Sequence, residues 1–202
     1  QRCLRGKEEM AEMAIEIRWH ARGGQGAVLA SRFLAASALR ENKYFQAFPQ
    51  FGTERMGAPI VAFTRVSPSP IHLHCAVVEP DVVAVMDPTL LGQVDVLAGL
   101  KPAGTVVVNY AGPVEELRRV LGVKDGGVRV AAVDATRISS EELGRPIPNT
   151  PMVGALSRIT GVVGIDNVLA EFKESMGARF KPPVVEANLR AIRRAYEEVQ
   201  VG

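Results

Sequence analysis

The sequence has little cysteine, almost no net charge and no long apolar run. Its 202 residues include two cysteines, Cys3 and Cys75, which cannot by themselves form a disulfide framework or ligate an iron–sulfur cluster. A net charge of +2 is too small to indicate binding to nucleic acid or an anionic membrane. No apolar run approaches the roughly 20 residues of a membrane span. We therefore expect a cytoplasmic protein that binds neither nucleic acid nor membrane.

The length and composition predict one soluble domain. An apolar share of 47% and a charged share of 23% are ordinary for a globular protein. Residues 1–13 are charged and lack the apolar core of a signal peptide. We expect a flexible N-terminal tail over residues 1–13 and a single domain over residues 14–202.

Three glycines within four residues connect a strand pattern to a helix pattern. Ile15, Ile17 and Trp19 alternate with polar residues, as in a strand, and residues 27–36 have apolar residues at helical spacing. Glycine permits a positive φ and lets backbone N–H groups approach a ligand, and a helix N-terminus attracts anions. With Arg18 and Arg22 expected on either side, the turn is predicted to hold a phosphate; the alternative is a tight turn without a ligand.

The rest of the chain reads as an α/β domain. Strands are predicted at 44–48, 60–66 and 71–75, the last two as an antiparallel hairpin, with a long loop at 49–57. Three strand–helix units follow: 82–86 with 88–97, 105–109 with 113–121, and 128–134 with 139–143. Strands that alternate with helices indicate a three-layer α/β/α fold with a mixed, mostly parallel, Rossmann-like sheet. The glycine turn, Asp87, Asn109 and Asp134 are expected to share the edge where the parallel strands end.

Three further helices are predicted near the C-terminus. Thr150 is expected to cap a helix over 152–159, the next runs from Asp166 to Met176, and the last spans 182–200. Within the last helix, Glu186 and Arg190 are spaced as an i,i+4 ion pair.

Common catalytic motifs are missing. The dinucleotide fingerprint fails because Leu29 stands where its third glycine belongs and because the strand at 44–48 does not end in an acid. There is no nucleotide-triphosphate loop, no nucleophile elbow and no His-Glu-x-x-His helix. His72 and His74 share one face of a predicted strand, which suits a polar surface better than a metal site. The chain is therefore expected to bind part of a substrate and to depend on other chains for the reaction.

Five sequence blocks lie in colinear order between Ile15 and Glu198. They are residues 18–27 (RWHARGGQGA), 46–59 (QAFPQFGTERMGAP), 79–81 (EPD), 87–91 (DPTLL) and 148–156 (PNTPMVGAL). Together they resemble the gamma subunit of 2-oxoacid:ferredoxin oxidoreductases, of the pyruvate synthase type. The departures from that family are Ala21 for glycine, Gln50 for glutamate and Met56 for arginine.

The resemblance implies a subunit of an enzyme that oxidatively decarboxylates a 2-oxoacid, with pyruvate as the default substrate. Coenzyme A would bind partly on this chain, giving an acyl-CoA, CO2 and reduced ferredoxin. Thiamine diphosphate, Mg and [4Fe-4S] clusters would lie on partner alpha, beta and delta subunits, and ferredoxin would meet the complex. No proton transfer and no metal are assigned to this chain, and no activity is expected from it alone.

The resemblance and the turn together predict the residues that bind the cofactor. The backbone N–H groups of the turn would be donors, and Arg22 would make a charge-assisted phosphate contact. Glu54 and Arg55 would close over the ligand arm or contact the thiamine-bearing subunit, or form only a surface ion pair. His20 is interpreted as a core histidine bonded to backbone rather than a catalytic group. The predicted binding residues are Arg22, Gly23, Gly24, Gln25, Gly26, Glu54, Arg55, Asn149 and Thr150.

Three alternatives remain at this point. The chain can be a scaffold whose loops only hold the other subunits, or the same kind of subunit in a 2-oxoglutarate or branched-chain 2-oxoacid enzyme. The third is a free-standing nucleotide-binding enzyme. The isolated chain can also dimerise through its last helix.

Overall fold

A seven-stranded mixed sheet forms the centre of the computed structural model, which describes residues 14–50, 56–124 and 126–202. The strand order is β2-β3-β1-β4-β5-β6-β7. Strands β1, β4, β5 and β6 are parallel neighbours, while β3 and β7 run in the opposite direction. The predicted tail at 1–13 lies outside the described residues. None of the described helices is long and apolar enough to cross a membrane.

The described residues form these strands and helices. The strands are β1 (Ile15–Arg22), β2 (Tyr44–Pro49), β3 (Pro59–Ser67), β4 (Val82–Val85), β5 (Thr105–Asn109), β6 (Arg129–Val133) and β7 (Gln200–Val201). The α-helices are α1 (Ala27–Ser37), α2 (Val114–Leu121), α3 (Ala135–Leu143), α4 (Asn149–Thr160), α5 (Ile165–Gly177) and α6 (Pro182–Glu198). Short 3-10 turns occupy Ala38–Glu41 and Pro88–Leu90.

Apolar residues cover both faces of the sheet, which confirms the three-layer α/β/α prediction. Alternate residues along β1, such as Ile17 and Trp19, belong to the larger core, together with buried residues of α1, α3, α4, α5 and α6. The opposite face packs against α2 and the segment 91–100. Continuous apolar runs such as Val82–Val85 (VVAV) are buried because successive residues of a strand enter opposite cores.

The predicted hairpin between 60–66 and 71–75 is wrong. Residues 71–75 form no strand, and β3 instead pairs antiparallel with β2 on one side and β1 on the other. Both edges of β3 are therefore occupied, and no edge is left for a third strand. The antiparallel hairpin of the fold is β2–β3.

The predicted helix at 88–97 is also wrong. Asp87 does cap a turn, since its side chain accepts a hydrogen bond from the N–H of Thr89, and Pro88 does open it, but the turn ends at Leu90. Gly92 follows with φ +82°, a left-handed conformation that interrupts a helix. Apolar residues of the segment 91–100 then cover the second core in successive turns.

Helices α4 and α6 run parallel and in close contact. Thr150 meets Asn188 through a hydrogen bond of 3.0 Å, and the Arg158 guanidinium lies 5.3 Å from the centre of the Tyr196 ring. Between these pairs, a Cβ on Gly154 would lie 2.0 Å from the carbonyl oxygen of Ile192. The helix backbones touch there because residue 154 has no side chain.

Side-chain pairing at these helices differs from two predictions. Arg190 binds Glu142 of α3 at 2.8 Å, in place of the predicted pair with Glu186. The hydroxyl of Thr150 reaches α6, so it does not cap α4, which begins at Asn149 without a side-chain cap.

Four helices begin at the edge where β1, β4, β5 and β6 end. Helices α1, α2 and α3 follow directly from the ends of β1, β5 and β6, and α4 begins next to Gly26. This edge is called the rim below.

Candidate functional site

The glycine turn joins β1 to α1 at the rim. Gly24 has φ +97° and Gly26 has φ +80°, conformations that L side chains rarely adopt. Gly26 is the N-cap of α1, and no side chain caps this helix. Within the described part of the chain, the N–H groups of Gly24 and Gly26 have no hydrogen-bond acceptor. The turn therefore presents backbone donors beside a helix N-terminus.

The other two predicted donors bond within the protein. The N–H of Gly23 donates to the carbonyl of Ala58 at 2.9 Å, and the N–H of Gln25 donates to the carbonyl of Arg22 at 3.1 Å. The first of these bonds continues the pairing of β1 with β3 past the end of the sheet. Any ligand at this turn would therefore meet the N–H groups of Gly24 and Gly26, rather than all four.

A polar network anchors Arg22 beside the turn. Its guanidinium donates to the hydroxyl of Thr89 at 2.9 and 3.0 Å, the side-chain oxygen of Gln93 at 2.9 Å and the carbonyl of Gly57 at 3.1 Å. Its Nε also lies 3.5 Å from Oδ2 of Asp87. The sequence analysis did not assign Thr89, Gln93 or Gly57 to the site, although the blocks at 46–59 and 87–91 contain Gly57 and Thr89.

Asp87 is the acceptor at the centre of this network. Its carboxylate accepts from the hydroxyl of Thr89 at 2.6 Å and from the side-chain amide of Gln25 at 2.7 Å. Burial opposes ionisation of Asp87, but hydrogen bonds from Thr89 and Gln25 and the charge of Arg22 outweigh it and lower the pKa. Asp87 is therefore an ionised anchor as well as the predicted cap.

Asn149 and Thr150 lie at the start of α4, next to the turn. A Cβ on Gly26 would lie 2.7 Å from Nδ2 of Asn149, so the two helix N-termini approach closely because residue 26 is glycine. Oδ1 of Asn149 accepts from the N–H of Thr150 at 2.8 Å. Asn149 is thus positioned beside the donors of the turn, whereas Thr150 is directed toward α6. Glu54 and Arg55 lie outside the described residues.

Asn109 and Asp134 do reach the rim, but their groups hold the fold together. The amide nitrogen of Asn109 donates to the carbonyl of Met86 at 2.9 Å, and its oxygen accepts from the N–H of Thr136 at 3.1 Å. Asp134 caps α3 by accepting from the N–H of Arg137 at 2.9 Å. Neither residue is free to hold a ligand in this arrangement.

The placement of Arg18 beside the turn is a wrong prediction. Arg18 is buried, and its Nη2 donates to the carbonyls of Val96 at 3.0 Å and Ala98 at 2.5 Å. Its Nε donates to Nε2 of His20 at 3.0 Å, which leaves the proton of the neutral ring on Nδ1. His20 is a core histidine, as interpreted, but its partner is a side chain. Arg18 attaches the segment 91–100 to the sheet because its side chain follows the face of β1 that carries His20.

Acidification should weaken the fold through His20. Burial and then the charge of Arg18 lower the pKa of His20 from 6.5 to about 4, so the unfolded chain takes up a proton before the folded one does. The contribution of neutral His20 to the free energy of unfolding is fully present above the pKa of the unfolded chain. It decreases as the pH falls from 6.5 toward about 4. We expect His20→Gln, whose amide oxygen can still accept from Arg18, to flatten the unfolding free energy over this range.

Urea unfolding at a series of pH values measures this effect. His74→Gln, which removes an exposed histidine by the same substitution, is the control. If His20→Gln loses as much stability on acidification as the original chain, His20 is not the responsible group.

One cavity among the described residues lies away from the rim. An open cavity of about 410 Å³ lies at the opposite edge of the sheet, where β4 and β5 begin, and its lining includes Asp81, Lys101, Thr105 and Thr160. Lys101 and Asp81 are paired there at 2.6 Å. The described residues contain no group of three or more His, Cys, Asp or Glu side chains placed to hold a metal ion. The donors of the candidate site lie at the rim, away from this cavity.

Comparison with known proteins places the sequence among oxidoreductases. The family model described as pyruvate ferredoxin/flavodoxin oxidoreductase matches residues 16–198. Over 187 residues the chain is 48% identical to the pyruvate/ketoisovalerate oxidoreductases common subunit gamma of Pyrococcus furiosus, covering 93% of this chain and 98% of that one. It is 44% identical over 191 residues to pyruvate synthase subunit PorC of Thermotoga maritima, covering 95% and 97%.

Two solved oxidoreductase structures share the fold of this chain. The crystal structure of pyruvate oxidoreductase subunit PORC from Thermotoga maritima superimposes with a TM-score of 0.82 at 43% identity, covering 94% of this chain and 99% of that one. A 2-oxoglutarate:ferredoxin oxidoreductase from Magnetococcus marinus, solved with 2-oxoglutarate, coenzyme A and succinyl-CoA bound, matches with a TM-score of 0.73 at 20% identity, covering 92% of this chain and 31% of that one. The second likeness shows the fold alone.

Proposed function

We propose that this chain, which belongs to the pyruvate ferredoxin/flavodoxin oxidoreductase family, holds the phosphates of coenzyme A at its glycine turn. It is a gamma subunit of a 2-oxoacid:ferredoxin oxidoreductase. The complete enzyme would convert pyruvate and coenzyme A to an acyl-CoA and CO2, with reduction of ferredoxin. A relative named as a common subunit of pyruvate and ketoisovalerate oxidoreductases supports a branched-chain 2-oxoacid as a second substrate.

The redox chemistry would take place on partner subunits. We assign thiamine diphosphate, Mg and [4Fe-4S] clusters to alpha, beta and delta subunits, because two cysteines cannot supply the four thiolates of one cluster. Ferredoxin would meet this cytoplasmic complex rather than the gamma chain alone. The contribution of this chain is to bind and orient the carrier that accepts the acyl group.

One observation carries the coenzyme A proposal. The N–H groups of Gly24 and Gly26 lie beside the uncapped N-terminus of α1, and the guanidinium of Arg22 adds positive charge at the same edge. Backbone donors at a helix N-terminus favour a phosphate. Asn149 completes this side with an amide next to Gly26. These groups suit the phosphates of coenzyme A, and the thiol arm would extend toward the partner subunits.

Hydrogen exchange on the complete oxidoreductase tests this proposal. Coenzyme A should protect the amides of residues 24–30, whereas pantetheine, which has the thiol arm but no phosphate, should not. Residues 101–105, at the opposite edge of the sheet, serve as the internal control. Equal exchange at residues 24–30 with and without coenzyme A would remove the phosphate site from this chain.

A glycine pair offers a matched kinetic test. Gly26→Ala puts a methyl group 2.7 Å from Nδ2 of Asn149 at φ +80°, whereas Gly161→Ala has φ +60° with open space around it. Both variants strain the backbone, but only the first disturbs the turn. We expect Gly26→Ala to raise the KM for coenzyme A by about tenfold or more, the cost of one to two charge-assisted hydrogen bonds. Gly161→Ala should leave that KM unchanged, and an equal change in both variants would refute the assignment.

A scaffold without ligand contact is the second candidate. Leu29 in the first turn of α1 is 64% exposed, and Met56, whose sulfur lies near Gly24, is 90% exposed. Large apolar side chains in this position favour contact with another subunit. If the scaffold is the whole function, Met56→Ser should dissociate the complex while coenzyme A gives no protection at residues 24–30.

A further inference from the structure

The Arg22 side chain connects segments that lie on opposite sides of β1. In the sheet, β1 lies between β3 and β4. Gly57 belongs to the segment at residues 56–58 that leads into β3, called the limb below. Thr89 and Gln93 belong to the segment that follows β4. The guanidinium donates two bonds to Thr89, one to Gln93 and one to Gly57. A guanidinium has five N–H groups, so only one remains for an external ligand.

On the β4 side, the acceptor is the hydroxyl of Thr89, which is fixed by hydrogen bonds to Asp87. The hydroxyl of Thr89 donates to Oδ1 of Asp87 at 2.6 Å, and the N–H of Thr89 donates to the same oxygen at 2.9 Å. With its own proton committed, the Thr89 oxygen presents its lone pairs to Arg22. Hydrogen bonds therefore fix the orientation of the hydroxyl.

On the β3 side, the acceptor is the carbonyl of Gly57, whose neighbour Met56 lies over the glycine turn. The N–H of Gly57 donates to the carbonyl of Gly23 at 3.1 Å, and the carbonyl of Gly57 accepts from Arg22. The sulfur of the neighbouring Met56 lies 3.4 Å from the position that a Cβ of Gly24 would take. The position of Gly57 therefore decides how closely Met56 approaches the donors of Gly24 and Gly26.

We infer that Arg22 is a positioning residue rather than a phosphate ligand: it fixes the limb at residues 56–58 against the segment at residues 87–93, and so sets the opening through which the phosphates reach the glycine turn. This inference rests on the proposed function and refines the role of Arg22 within it. A lysine cannot take its place, because a single ammonium group on a flexible chain does not present the planar fork that reaches Thr89, Gln93 and Gly57 together.

The informative variant leaves Arg22 intact and removes its partner. Thr89→Val takes away the acceptor of two guanidinium N–H groups and leaves the positive charge free to meet a phosphate. If Arg22 positions the limb, Thr89→Val and Arg22→Lys should each raise the KM for coenzyme A by about tenfold, as expected for lost hydrogen bonds to a charged group. The double variant should be little worse than either single variant because both remove the same connection. Thr89→Ser keeps the hydroxyl and should restore the original KM.

Hydrogen exchange without any ligand gives an independent measurement. In the complete oxidoreductase, Arg22→Lys and Thr89→Val should speed exchange at the amides of residues 56–58, while residues 101–105 stay unchanged. The KM for the 2-oxoacid should stay the same, since only the entry of coenzyme A is affected.

The outcomes separate this inference from the function on which it rests. If Thr89→Val keeps or lowers the KM for coenzyme A while Arg22→Lys raises it, Arg22 contacts the phosphate directly and the inference is wrong. Unchanged exchange at residues 56–58 in both variants also overturns it. If coenzyme A fails to protect residues 24–30 of the original enzyme, the proposed function fails. The exchange at residues 56–58 then decides alone whether Arg22 fixes the limb.

Discussion

Replacing Gly154 with alanine is expected to lower the free energy of unfolding by about 3 kcal/mol or more, the upper range for overpacked cores. Replacing a glycine inside a helix with alanine normally raises the free energy of unfolding by up to about 1 kcal/mol. Here the sign reverses, because the added Cβ would lie 2.0 Å from the carbonyl oxygen of Ile192 and 3.2 Å from its Cα. These are backbone atoms of α6, so the two helices must separate to admit one methyl group.

Gly177→Ala is the matched control for this prediction. Gly177 is also helical, and a Cβ there would meet nothing within 4 Å. Gly177→Ala should therefore leave the free energy of unfolding unchanged or raise it by up to about 1 kcal/mol. Urea unfolding of the three chains measures the difference. Similar midpoints for Gly154→Ala and the original chain would show that α4 and α6 are not in backbone contact. Because α4 begins at Asn149, separation of the helices should also disturb the rim.

Glu16→Ala should destabilise the fold by about 3–5 kcal/mol, because it leaves a buried charge without its partner. The side chain of Arg65 is 1% exposed, and its Nε lies 2.6 Å from Oε1 of Glu16. What remains around the guanidinium is the side-chain oxygen of Gln46 at 3.2 Å, the sulfur of Cys75 at 3.9 Å and the ring of Phe48 at 5.5 Å. Neither the amide of Gln46 nor the ring of Phe48 carries a compensating negative charge.

Thermal and urea unfolding of two further variants isolate the cause. Glu16→Ala combined with Arg65→Met removes both charges and should recover most of the loss. Glu174→Ala deletes a carboxylate that pairs with Arg40 but is 77% exposed, and it should cost less than about 1 kcal/mol. If the double variant is no more stable than Glu16→Ala, the uncompensated charge of Arg65 is not the cause.

The elements predicted from sequence are those that local chemistry determines. The period-two pattern before Arg22, the glycines after it and the apolar helix that follows specify the strand, the turn and α1 without further information. Apolar runs flanked by caps such as Asp87 likewise located β4, β5 and β6. The position of the candidate site followed from these elements, because parallel strands end at one edge.

The predictions that failed depended on long-range pairing. Residues 71–75 alternate as a strand should, yet β3 already has two neighbours, and strand order is not visible in a local pattern. The segment after Leu90 has helical spacing, but packing on the sheet and the bonds from Arg18 to Val96 and Ala98 hold it in turns. Which groups Arg22 reaches was hidden for the same reason, since Gly57 and Gln93 are distant in sequence.

The convergence of four helix N-termini on the rim has a consequence for how the family can vary. Each helix contributes partial positive charge through its peptide dipoles and its terminal N–H groups. That charge comes from the main chain, so it does not titrate and is indifferent to most side-chain replacements. Relatives can therefore diversify the side chains around this edge while the partial positive charge is inherited with the backbone.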